Sequence, residues 1–275
     1  MRMLTARDSS SDLVAGSPAS LTWHRWLDET PRPGWSNMAF DSALLDLAEA
    51  GGAWLRIYQW DPWCLSFGRN EPATTRYDRS TIAARGIDTV RRPTGGRAVW
   101  HARELTYAVA APAGAFGDLR QAYRLIHAML QRAVIGLGVR AILAPARTAA
   151  DRLDVGACFA SPAGGEVMAP GGKLVGSAQL RQNGAFLQHG SLLLDGSQQL
   201  VREVARGESA EPRATTLGAA AGRPIGFTET ATAVIGAAAH WPGEWHELRT
   251  PDADLALMAE RHATRFRSPE WTWRR

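Results

Sequence analysis

The stretch LVGSAQLRQNGAFLQHGSLLLD (174–195) limits the possible folds more than any other part of the chain. Asn183-Gly184 separates two strand-like runs, and this dipeptide accepts the left-handed backbone of a tight type I′ turn. The segment therefore predicts a β-hairpin. Directly before it stands Lys173, the only lysine among 31 basic residues. A chain that otherwise uses arginine alone makes this lysine, held between glycines and a strand, a candidate for chemistry, although exposed lysines are usually only solvated.

The rest of the chain supplies a sheet and helices around the hairpin. Residues 1–20 carry no periodicity and predict a mobile tail, with one domain over 21–275. After Pro33, Asn37 as cap, Asp41 in the first turn and apolar residues at helical spacing predict a helix closed by Gly51-Gly52. The runs 54–60 and 63–68 predict two adjacent strands of one sheet, with Cys64 an inert core thiol in the second. Further strands are expected at 88–92 and 104–112, and helices at 78–85, 117–137, 197–205, 228–241 and 253–266. Residues 211–224 resemble a surface connection. No regular βαβ alternation is present, so the pattern predicts an α+β fold with helices packed on one side of the sheet.

Composition removes several function classes. A net charge of +4 without a basic run longer than two residues argues against nucleic-acid binding but suits an acidic partner. No stretch approaches the roughly 18 apolar residues of a membrane span, and the N-terminus lacks the apolar core of a signal peptide. Cys64 and Cys158 show no metal-ligand spacing. P-loop, dinucleotide, GxSxG and HExxH patterns all fail.

Two constellations remain. Arg91-Arg92 followed by Pro93-Thr94-Gly95-Gly96-Arg97 could hold an anion or polarise a carbonyl, or be an ordinary turn. His101 has no aspartate at hand to orient it, so a structural hydrogen-bonding role is expected for it, and the same caution applies to His189. Cys158 lies in a small-residue segment, GACFASPAGGE, fifteen residues before Lys173. An ammonium beside a thiol favours the thiolate, which is the activation that a cysteine nucleophile needs.

Taken together, RRPTGGRAVWHARELTYAVAAP (91–112) and GGKLVGSAQLRQNGAFLQHGSLLLD (171–195) resemble the lipoate-protein ligase and octanoyltransferase family, and among its branches the LipM-type octanoyltransferases. SNMAFDSALL and LRIYQWDPWCLSFGRNEPA extend the resemblance toward the N-terminus, with GRNEPA (68–73) closer to the ligases. The resemblance implies a mixed, largely antiparallel sheet with packed helices, similar to biotin ligases and class II synthetase cores. It implies transfer of an octanoyl group from acyl carrier protein to a lysine of a lipoyl-accepting protein, either a glycine cleavage H protein or a dehydrogenase E2 lipoyl domain. Cys158 and Lys173 would be catalytic. Arg92, Thr94, Gly95, Gly96, Arg97, Gly176, Ser177, Ala178, His189 and Gly190 would bind substrate. No metal or cofactor is expected, and ATP with magnesium belongs only to the alternative, a lipoate or octanoate ligase working through an acyl-adenylate. Lipoyl amidotransfer is a related third reading. The chain leaves no room for the separate C-terminal domain usual in the ligases, and a cytoplasmic monomer is expected.

Overall fold

The computed structural model describes residues 21–145, 164–207 and 213–274. In chain order its elements are β1 (Thr22–Leu27), α1 (Gly34–Glu49), β2 (Ala53–Tyr58), β3 (Cys64–Phe67), α2 (Ala73–Arg76), α3 (Arg79–Ala84), β4 (Asp88–Arg91), β5 (Val99–His101), β6 (Glu104–Pro112), α4 (Leu119–Gly136) and β7 (Ile142–Leu143). They continue with β8 (Val167–Ala169), β9 (Gly172–Lys173), β10 (Val175–Gln182), β11 (Ala185–Leu193), α5 (Gln199–Glu203), α6 (Leu217–Ala221), α7 (Phe227–Ala238), β12 (Glu244–Leu248), α8 (Ala253–Arg267) and α9 (Pro269–Thr272).

A six-stranded sheet runs β10-β11-β6-β2-β1-β12. Its β10–β11, β11–β6 and β6–β2 pairings are antiparallel, and β2–β1 and β1–β12 are parallel. The expected mixed, largely antiparallel α+β architecture is therefore present. The hairpin forms as read: Asn183 (φ 45°) and Gly184 (φ 83°) make the turn between Gln182 and Ala185. Two small sheets, β4-β3-β5 and β7-β8-β9, flank the large one.

Helices cover both faces of the large sheet rather than the one face expected. On one face α4 and α7 bring Ile126, Leu130 and Val234 against Leu55, Val109 and Phe186. On the other, α1 and α8 bring Met38, Leu44 and Phe266 against Tyr58, Ala108 and Leu187. Double coverage explains why β11 is buried at every position and β6 at all but its last, with no alternation of polar and apolar residues.

Three further expectations change. Asn37 is not the helix cap, because α1 starts three residues earlier behind the extended Pro33. Its amide is buried and donates to the carbonyls of Arg32 and Gln59. Strands β2 and β3 do not pair: β1 and β6 already occupy both edges of β2, so β3 joins β4 and β5 instead. Within 211–224 the described residues are more than a surface connection, since Ala214 bridges Lys173 and Thr215, Thr216 and Leu217 are buried.

Arg91 closes the structure at the far end. Its buried guanidinium donates to the carbonyls of Gly68, Arg69 and Glu71 and to those of Trp271, Thr272 and Arg274, tying the GRNEPA segment to the C-terminal helix. Carbonyls left dry without a donor are costly. Replacing Arg91 by Met should lower stability by about 3 kcal/mol or more and make the C-terminal residues sensitive to protease. Urea unfolding and limited proteolysis measure both.

Candidate active site

The Gly95-Gly96 turn is built by close backbone approach. Arg69 N–H donates to Thr94 O at 2.7 Å, and a Cβ on Gly68 would meet Gly96 O at 1.9 Å, so only glycine fits there. Arg92 spends its guanidinium on the carbonyls of Ser66, Gly95 and Arg97, which stiffens the turn from inside. Arg97 leans toward Glu71 at 3.7 Å. Thr94 is buried, with its hydroxyl 2.6 Å from His189 Nε2.

Beside this turn lies a narrow pocket with a free volume of only about 20 Å³. Met38, Tyr58, Trp60 and Val99 form apolar walls, and Arg92, His101, Thr106, Ser177, His189 and Ser191 supply polar atoms. Gly176 and Gly190 bring strands β10 and β11 into the wall as bare backbone, with only the methyl of Ala178 between them. A side chain at 190 has no space, since its Cβ would lie 2.4 Å from Ser177 Oγ and 2.6 Å from Gly176 O. Of the ten substrate-binding candidates, the pocket thus gathers Arg92, Gly176, Ser177, Ala178, His189 and Gly190, with Thr94 one hydrogen bond behind. Gly95, Gly96 and Arg97 sit in the adjoining turn.

Both histidines of the pocket have carboxylates that sequence reasoning missed. His189 Nδ1 lies 2.8 Å from Asp41 Oδ2, and His101 Nδ1 lies 2.6 Å from Glu104 Oε1. A carboxylate accepts, so each ring donates through Nδ1 and turns Nε2 toward a hydroxyl, that of Thr94 and of Ser66 respectively. Asp41 is itself fixed by Tyr58 and by Arg56, whose fully buried guanidinium also pairs with Asp28. Trp60 stacks on His101 at 3.9 Å and donates to Thr106, which donates on to Glu104. Glu104 was legible as a carboxylate three residues after His101. Asp41 lies 148 residues from His189, beyond any local signal.

Lys173 is buried on β9 and forms an ion pair with Glu166, Nζ to Oε1 at 2.6 Å. Its backbone is pinned on both sides, its N–H donating to Arg213 O and its carbonyl accepting from Thr215 N–H. From α4, Tyr123 reaches Glu166, and His127 donates from Nδ1 to Gly165 O while its Nε2 accepts from Ser177. Tyr107 and Gln188 continue the chain from Ser177. A hydrogen-bonded path therefore joins the pocket wall to the loop that carries Glu166. Cys158, the other residue of the expected catalytic pair, lies outside the described residues, as does the 1–20 segment. Cys64 is buried and its thiol pKa is pushed well up by burial, with Asp88 adding to the effect. It is the inert core residue expected. No group of three or more potential metal ligands occurs among the described residues.

Over residues 33–239 the sequence matches the model of the lipoyl protein ligase A/B catalytic domain. The chain belongs to that family. It is 37% identical over 258 residues to the octanoyltransferase LipM of Kyrpidia tusciae, covering 87% of this chain and 94% of that one. With the octanoyltransferase LipM of Brevibacillus brevis it shares 33% over 274 residues, covering 92% and 99%. Among solved structures, lipoate-protein ligase A bound with ATP superposes with a TM-score of 0.75 over 92% of this chain and 99% of that one. At 21% identity this likeness speaks for the fold.

Burial gives the site a pH signature. His127 is held at a pKa of about 3 by loss of hydration, with the Lys173 charge adding to the effect. Burial also lowers His189, against the pull of Asp41. Unfolded histidine protonates near pH 6.5, so below that value the unfolded state binds more protons and the fold loses stability as pH falls. Unfolding free energy should decline from neutral pH toward pH ~5 by up to about 1.4 kcal/mol per unit for each such histidine. His127→Asn should flatten that slope. Urea midpoints measured across the range test this, and an identical slope in the variant would contradict it.

Proposed function

We propose that the protein is an acyltransferase that moves an octanoyl group from octanoyl-acyl carrier protein to the ε-amine of a lysine on a lipoyl-accepting protein. The near full-length likeness to octanoyltransferases carries this reading. A narrow pocket with an apolar side, linked through Ser177 and His127 to the loop that holds the buried ammonium, fits it. Each methylene buried in such a pocket is worth about 0.8 kcal/mol, enough to gauge chain length.

The chemistry runs through Cys158. Its thiolate attacks the carrier thioester, a new carbon–sulfur bond forms, and the carrier's thiolate leaves. The acceptor amine then attacks the acyl-enzyme, forming the amide, losing a proton and releasing the Cys158 thiolate. Lys173 favours the thiolate and steadies the carbonyl, and Glu166 holds the ammonium in place. Backbone amides of the Gly95-Gly96 turn or of the Lys173 loop receive the oxyanion. Arg92, Thr94, Arg97, Gly176, Ser177, Ala178, His189 and Gly190 bind the substrate around them. The reaction needs no cofactor. Residues 21–275 act as one catalytic unit, a monomer in the cytoplasm.

The test is an intact-mass measurement after incubation with octanoyl-acyl carrier protein and no ATP. A hydroxylamine-sensitive octanoyl adduct is expected, absent in Cys158→Ala and formed about 100-fold or more slowly in Lys173→Met. If ATP with free octanoate or lipoate is required and Cys158→Ala stays active, the protein is instead a ligase, with Lys173 and the 92–97 loop holding the acyl-adenylate.

A further inference from the structure

The pocket as it stands is too small for the substrate assigned to it. Its free volume of about 20 Å³ has room for a single water, whereas a cavity of about 150 Å³ is what takes up benzene. Part of the wall has to move before an octanoyl chain can enter.

Most of the wall is tied down. Arg92 donates to the carbonyls of Ser66, Gly95 and Arg97, the two histidines are held by Glu104 and Asp41, and Ser177 is bonded to both Tyr107 and His127. Among the apolar side chains, Tyr58 donates to Asp41 and lies under the Arg56 guanidinium at 4.0 Å. Trp60 donates to Thr106 and stacks on His101. Val99 is β-branched and has little freedom at χ1. The strands are held as well, since β11 is paired on both sides, with β10 and with β6. Met38 is the exception. Its backbone is fixed, because the Asn37 amide anchors α1 to the carbonyls of Arg32 and Gln59, and the Ser42 hydroxyl donates to the Met38 carbonyl. Its side chain is fully buried in one cluster with Tyr58 and Trp60 and makes no hydrogen bond with any described residue. It turns about three bonds and ends in a polarizable thioether, which repacks more readily than a branched or aromatic group.

We infer that Met38 is both gate and gauge of the pocket: its side chain turns aside to admit the acyl chain, and the volume it keeps sets the length of that chain. The assignment rests on the acyl-transfer reading above and adds to it the residue that selects octanoyl. A stiffer and larger side chain at this position could not yield, and a smaller one would leave room for further carbons. Met38→Ala removes Cγ, Sδ and Cε, the space of about three methylenes.

The experiment times the acylation of Cys158 by acyl-pantetheines from butyryl to dodecanoyl, read by intact mass. It compares the native protein with Met38→Ala, the milder Met38→Val and the larger Met38→Phe, each checked for folding by circular dichroism. The native protein should favour octanoyl. Met38→Ala should raise the ratio of decanoyl to octanoyl rates about tenfold. Met38→Val should raise it less, and answers the same question should the alanine variant not fold. Met38→Phe should slow octanoyl about tenfold or more while leaving butyryl within about twofold. Opposite shifts in chain length from opposite changes in volume are not what a merely structural residue produces. Unchanged length profiles would overturn the assignment, and so would equal losses at every length. Calorimetric titration with free octanoate and decanoate separates this outcome from the transfer reading. If no donor acylates Cys158 but Met38→Ala still turns the preference from octanoate toward decanoate, the transfer reading fails and the role of Met38 stands. Binding of neither acid would overturn that role as well.

Discussion

Burying one ammonium organises one side of this molecule. A charge removed from water needs a partner in good geometry, and Glu166 meets that need for Lys173. Glu166 in turn sits beside the three-stranded sheet β7-β8-β9, Lys173 is clasped between Arg213 and Thr215, and α4 sends Tyr123 and His127 into the same region. Each of these contacts limits where the amine can go. The result is a rigid cation in a dry setting, where electrostatic interactions are far stronger than on a surface.

The pocket follows the same logic from the opposite sheet face. Arg56 is wholly buried and is held by Asp28 and Asp41, and Asp41 passes the constraint to His189. His101 is fixed in parallel by Glu104 and clamped under Trp60. Two rings held by carboxylates, a glycine-lined backbone wall and apolar sides leave a narrow cleft with one polar end.

Local chemistry made much of this legible. Asn183-Gly184 announced the hairpin, helical spacing announced α4, and the GG turn and the lone lysine stood out as sites. Double coverage of the sheet was written in the unbroken burial-prone run TYAVAA of β6, which lacks the alternation of a one-sided strand. Asn37 misled because an amide that joins two neighbouring backbones looks, in one dimension, like a helix cap. Asp41 and Glu166 gave no comparable sign. The first acts across 148 residues, and the second only once two short strands bring it back to Lys173.

The central claim is that the Lys173–Glu166 pair sets the reactivity of Cys158. The rate of Cys158 alkylation against pH measures this most directly, with Cys64 silent in its buried site. The native protein should titrate below the value of about 8.5 of an ordinary cysteine, and the double variant Lys173→Met/Glu166→Gln should move that titration upward. Superimposable profiles in the two proteins would contradict the account.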